Sequence, residues 1–171
     1  MRRAIVLAVA LVSAVESQSQ PKPESVCQVL SDLIGYSGKL VRVRGKISRT
    51  RTTFVAGVNC PSEIRVGSVE FENIINLEWP GNSNVEARGP KVPFEFDQAS
   101  FRILERALAS WDRQSQEVFV TIEGLIVTRT PPFNLVHPRF PTQPIGFGHM
   151  GAAPAEIIVK RVENIQFVQI K

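Results

Sequence analysis

A row of cations at alternate positions is the clearest chemical feature of the chain. Arg42, Arg44 and Lys46 interleave with Val41, Val43, Gly45 and Ile47. Successive side chains of a strand point to opposite faces, so the cations share one face and the apolar residues the other. Two further groups of arginines and aromatics fall in turn-rich segments. Arg49, Arg51 and Phe54 follow the basic strand, and Phe133, His137, Arg139, Phe140, Phe147 and His149 lie between Thr130 and Pro154. Arginines beside aromatic rings can hold an anionic polymer or a glycan through charge and stacking. The same residues can instead form a solvated face and pin long loops to a core. The candidate ligand-binding set is Arg42, Arg44, Lys46, Arg49, Arg51, His137, Arg139, Phe140 and His149.

Other chemistries find less support. The chain carries 20 basic and 16 acidic residues, a net charge of +4. That is short of a nucleic-acid-binding composition. No aromatic is interleaved with Arg42, Arg44 and Lys46, as a single-strand binder wants, so nucleic acid is disfavoured as a partner. His137 and His149 are the only histidines, and their spacing demands no metal. Gly146-Phe147-Gly148 lacks the pattern and lysine of a phosphate loop. The sequence has no Gly-x-Ser-x-Gly elbow and no His-Glu-x-x-His. Glu117 and Glu123 share a strand face but stand roughly 20 Å apart on a straight strand, too far for a glycosidase pair. No enzyme activity and no cofactor are expected.

The compartment is written at the N-terminus. Arg2 and Arg3 precede an apolar run from Ala4 to Val15, and Val15-Glu16-Ser17 offers a cleavage site. This is the anatomy of a secretory signal peptide, too short to span a bilayer comfortably. Residues 1–17 are expected to be removed, leaving a periplasmic or extracellular protein without a stable membrane span. Residues 18–24 form a polar lead expected to be mobile, and residues 25–171 make one domain. Cys27 and Cys60 are the only cysteines. Two cysteines in an oxidising compartment most simply make one disulfide. Its loop of about 34 residues is worth on the order of 3–4 kcal/mol.

These residues must be positioned by a mainly β framework. Ser25 and Gln28 predict a capping box opening a short helix, with Val26, Val29, Leu30, Leu33 and Ile34 as its apolar stripe and Gly35 as its stop. The first strand runs through Gly45, where a missing side chain marks a bulge or bend. Phe54 to Asn59 predicts the second strand and Ile64 to Val69 the third, while Phe71 to Trp79 is ambiguous between strand and helix. Pro80 to Pro93 reads as an exposed connection. Asp97 is a helix N-cap ahead of Phe101, Leu104, Leu108 and Trp111 at helical spacing. Val118 to Thr128 is the fourth strand, bent at Gly124. Thr130 to Pro154 holds half of the 12 prolines and cannot be a regular element. Ala155 to Val162 is the fifth strand, and Ile165 to Ile170 finishes it or pairs separately.

This order of elements resembles the OB-fold, a five-stranded Greek-key barrel with a helix between strands three and four. The likeness covers most of Lys39 to Val168 and adds a short N-terminal helix to the family's pattern. It implies ligand contact at the face of strands two and three and at the loops joining strands one–two and four–five. The chain also resembles exported bacterial proteins of unknown function that carry the strand Gly38 to Gly45 and the turn Gly146 to Gly151. A helix tied to a barrel by a disulfide is similar in architecture to secreted OB-fold toxin B subunits. The expected function is a non-enzymatic binding module recognising a glycan, polyanion or protein. The alternative is a structural or oligomerising envelope protein with no small ligand.

Overall fold

Hydrophobic alternation shapes the core of this chain. The computed structural model describes residues 22–49, 52–60, 64–66, 69–80, 92–128, 136–137, 140–144, 146–148 and 151–170. The expected signal peptide and most of the polar lead lie outside them. The described elements are β1 (Glu24–Ser25), α1 (Val26–Ser31), α2 (Leu33–Tyr36), β2 (Leu40–Arg49), β3 (Thr53–Ala56), β4 (Ile64–Val66), β5 (Val69–Phe71), β6 (Ile74–Glu78), α3 (Gln98–Ala109), β7 (Gln116–Thr128), β8 (Val136–His137), β9 (Phe140–Pro144) and β10 (Ala155–Gln169). No described helix is long and apolar enough to cross a membrane.

Five strands close into a barrel in the order β2-β3-β6-β10-β7, with β7 returning to β2. The β6–β10 pair is parallel and the other four are antiparallel. Val43, Ile47, Val55, Ile75, Ile122, Ile126 and Ile157 fill the interior. β2 serves both halves of the barrel, because residues 40–46 pair with β7 and residues 46–49 with β3. Gly45 sits at this change of partner. A Cβ there would lie 2.6 Å from Val55 and 2.7 Å from the Ala56 carbonyl oxygen, so the bend requires the absent side chain.

The N-terminal helix forms as its capping box predicts. Ser25 Oγ accepts from the Gln28 amide, and Gln28 Oε1 accepts from the Ser25 amide. Gly35, however, does not end the helix. The chain breaks at Asp32, whose carboxylate then caps α2 by accepting from the Gly35 amide at 2.9 Å. The break turns Ile34 outward, leaving it 70% exposed. The stop falls instead at Gly38, with φ of 74°. Cys27 and Cys60 are joined with Cα atoms 5.4 Å apart, tying α1 to the chain just beyond β3.

The third barrel strand is β6, not the expected Ile64 to Val69. Residues of that span form β4 and β5, a separate two-stranded hairpin. In β6 the residues Ile74, Ile75, Asn76 and Leu77 are all buried, so polar alternation disappears. The reason is a cover on the outer face. Phe147 and Ala152 pack over Phe54, Ile74 and Ala153, making a second small core outside the barrel. The segment expected to hold no regular element contains β8 paired with β9 and a bridge from Phe147 to Ala153. Gly148 enters this cover at φ of 75°, and a Cβ there would meet Asn76 Oδ1 at 2.6 Å and Phe54 at 2.7 Å. Gly148→Ala is therefore expected to cost about 1–3 kcal/mol in urea unfolding, from strain and overpacking. A cost below about 0.5 kcal/mol would mean that the cover is loosely held.

β10 is one strand with two irregularities rather than two strands. Its ladder with β7 slips between Val159 and Arg161, and again between Glu163 and Gln166. At the first slip Lys160 is the extra residue, which leaves backbone groups without ladder partners. The start of α3 satisfies them. Asp97 N–H donates to the Lys160 carbonyl at 2.8 Å, and Ser100 Oγ accepts from Val162 N–H at 3.0 Å. Asp97 also caps α3 by accepting from the Ser100 amide. The fully buried Leu104 docks this helix on the core.

Candidate functional site

The basic strand face of β2 is a lattice of paired charges. Three rows of residues line up across the outer face of β2, β7 and β10. Arg42 stands opposite Glu123, which stands opposite Arg161. Arg44, Thr121 and Glu163 form the next row, followed by Lys46, Phe119 and Gln166. Arg42 reaches diagonally to Glu163 at 2.6 Å, with both side chains more than four-fifths buried. Arg44 Nη2 donates to the Gln166 amide oxygen, and Lys46 pairs with Glu117 at 3.0 Å. The predicted stripe is thus a set of cations fixed by partners from distant parts of the chain, not a row of freely solvated charges.

Glu123 is the hub. Its Oε1 accepts from Lys160 Nζ at 2.7 Å, and its Oε2 accepts from Arg161 Nε at 2.6 Å. Arg161 also meets Glu163 at 2.8 Å, which joins the hub to Arg42. Two neighbours in sequence can reach one carboxylate because the bulge at Lys160 breaks strand alternation. Burial pushes the Glu123 carboxyl up. The hydrogen bond from Lys160 and the charge of Arg161 outweigh that, and hold it below its ordinary value of 4.5. A depressed folded pKa adds stability that is present above the unfolded value and is lost as pH falls through the folded one. Glu123→Gln is expected to cost about 1–2 kcal/mol at neutral pH, between surface and buried ion-pair values. Unfolding free energy followed from neutrality to about pH 2 should then show a shallower acid decline in the variant. Parallel curves for the two proteins would remove Glu123 from this role.

An open groove of about 400 Å³ runs beside this lattice. Arg42, Glu123 and Arg161 of the lattice line it together with Lys22, Glu24 and Tyr36, and Leu40 and Val41 add apolar surface. The Tyr36 hydroxyl stands near the Glu24 carboxylate. Burial first, then the charges of Glu24 and Asp32, raise its pKa above 10.0. β1 supplies the far wall by pairing parallel with β2, Glu24 opposite Val43 and Ser25 opposite Arg44.

The remaining predicted residues are placed less completely. Arg49 ends β2, and its carbonyl accepts from Arg113 at 3.2 Å. Arg51, Arg139 and His149 lie outside the described residues. His137 and Phe140 belong to the backbone strands β8 and β9. Phe54 is buried with Ile74 under Phe147, so these two rings pin the loop. On that covered face Asn76 donates to Glu156 at 2.7 Å, while its buried Oδ1 has no partner among the described residues. The residues that sequence reasoning missed are Lys22, Glu24, Tyr36, Lys160, Arg161 and Glu163. One local signal existed. The adjacent charges Lys160-Arg161 interrupt an alternating strand, which is how a bulge is written in sequence.

Among the described residues no group of three His, Cys, Asp or Glu side chains could hold a metal ion. No protein-family model and no curated protein matches the chain.

Proposed function

We propose that the protein is an exported, non-enzymatic binding module built on an OB-fold, with a glycan, polyanion or protein as its partner. The barrel order β2-β3-β6-β10-β7 with one parallel pair, and α3 between β6 and β7 in the chain, support the OB-fold reading. The disulfide is compatible with an oxidising compartment and hence with export. One observation carries the binding role. The outer face of β2, β7 and β10 presents donors and acceptors held in place by ion pairs, next to an open groove of about 400 Å³. Pre-positioned polar groups around a concavity lower the ordering cost of recognition. The usual OB-fold ligand face is a weaker candidate here, since Phe147 and Ala152 lie over part of β3 and β6.

The test is binding of the mature protein to immobilised glycans, anionic lipids and nucleic acids at low and high salt. Selective binding that survives high salt supports the module. Binding to every polyanion that vanishes with salt would reduce the face to a general electrostatic surface. A structural or oligomerising role has one observation of its own. Phe167, Val168 and Ile170 expose apolar surface at the end of the last strand. A concentration-dependent dimer that Phe167→Ser disperses would favour that reading.

A further inference from the structure

We propose that the groove between β1–α2 and the charge lattice is the ligand site of this module, and that it takes an acidic glycan through a sugar ring bearing one carboxylate. The inference rests on the binding-module reading and names its ligand class.

The chemistry of the walls argues for a sugar. Arg42, Arg161 and Lys160 already donate to carboxylates. A polyphosphate would have to compete with these internal partners, at the expense of several partly buried ion pairs. A sugar hydroxyl makes no such demand, because it both donates and accepts and can add to a paired guanidinium or carboxylate, and the single carboxylate of the ring would be met by Lys22. The groove offers both kinds of group in alternation, Arg42 and Arg161 as donors with Glu123 and Glu24 as acceptors. It also offers apolar surface for the C–H face of a ring at Tyr36, Leu40 and Val41. Its volume falls in the range of small-molecule sites, about 300–1,000 Å³.

The charge count argues for one carboxylate. Among the lining residues, Lys22, Arg42 and Arg161 stand against Glu24 and Glu123, one positive charge in excess, with the Asp32 carboxylate acting on Tyr36 from outside the lining. Adding Lys160 and Glu163 from the lattice leaves that excess unchanged. Lys22 is exposed at the rim, where it can steer an incoming anion. The walls are also braced. The bulge at Lys160 is held by α3, and β1 is held through the capping box of α1 and the disulfide behind it.

Calorimetric titration of the mature, disulfide-bonded protein tests this. The probes are short oligosaccharides of galacturonate, glucuronate and sialic acid, their methyl esters, neutral oligosaccharides of equal length, and inorganic polyphosphate. At least one acidic oligosaccharide should bind, with its methyl ester weaker by about tenfold or more. Tyr36→Ala and Lys22→Ala should each weaken binding severalfold, whereas Arg65→Gln on the β4–β5 hairpin should leave it unchanged. Lys22 is exposed, so its replacement reads the site without risk to folding. Equal affinity for acid and ester, or indifference to both groove variants, overturns the inference. Binding confined to neutral glycans or polyphosphate overturns it while the module reading stands. Silence in every arm removes both.

Discussion

Replacing Cys27 and Cys60 together by serine should lower the unfolding free energy by about 3–4 kcal/mol. The bond spans 33 positions of sequence, and closing a loop of that size restricts the unfolded chain by about this amount. For a domain of this length the midpoint of thermal unfolding should fall by roughly 10 °C. Reduction of the native protein should reproduce the effect, since both treatments remove the same constraint. The cost should also reach the groove. Cys27 lies in the first turn of α1, three positions after Glu24, the β1 residue that lines the groove. A change below about 1 kcal/mol would mean that α1 is held by its buried Val26, Val29 and Leu30 without help from the bond.

Leu104→Ala should cost about 2–5 kcal/mol, the range for emptying a fully buried leucine site. Leu104 is the fully buried apolar residue of α3, and Leu108 and Trp111 only partly cover the same core. The consequence differs from an ordinary cavity because of what α3 holds. Its first turn satisfies the backbone at the β10 bulge, through Asp97 to Lys160 and Ser100 to Val162. A loosened helix should therefore free Lys160 and Arg161 from Glu123. The expected signature is lost stability together with faster amide hydrogen exchange at residues 160–163. Destabilisation with unchanged exchange there would show that the bulge stands without the helix.

The barrel was legible in sequence where one face of an element is apolar and the other polar. β2 and α3 meet that condition. Val43, Ile47 and Leu104 are buried as their spacing predicts. Val41, Leu108 and Trp111 only partly cover the core, and Phe101 packs on Trp79 and Phe96 instead. β6 does not meet it, because the Phe147 cover buries its outer face and erases the alternation. The N-terminal helix was legible at its start, where a local capping box acts. It was not legible at its end, where the Asp32 carboxylate competes with helix continuation. The cations of the site were legible for the same reason as β2. Their partners were not, because Glu163 lies 121 residues from Arg42 and only barrel closure brings them together. The placement of Lys22 and Glu24 beside the lattice had no sequence signal, since it depends on a two-residue parallel pairing of β1 with β2.

The outer face of β2, β7 and β10, with its adjoining groove, is the proposed surface for ligand. Backbone amide chemical-shift mapping during titration with an acidic oligosaccharide that binds tests it most directly. Perturbations should cluster at Tyr36, Arg42, Glu123 and Arg161 and saturate together with one affinity. Perturbations confined to residues 136–148, or to β3 around Phe54, would contradict it and return the site to the loop-covered face.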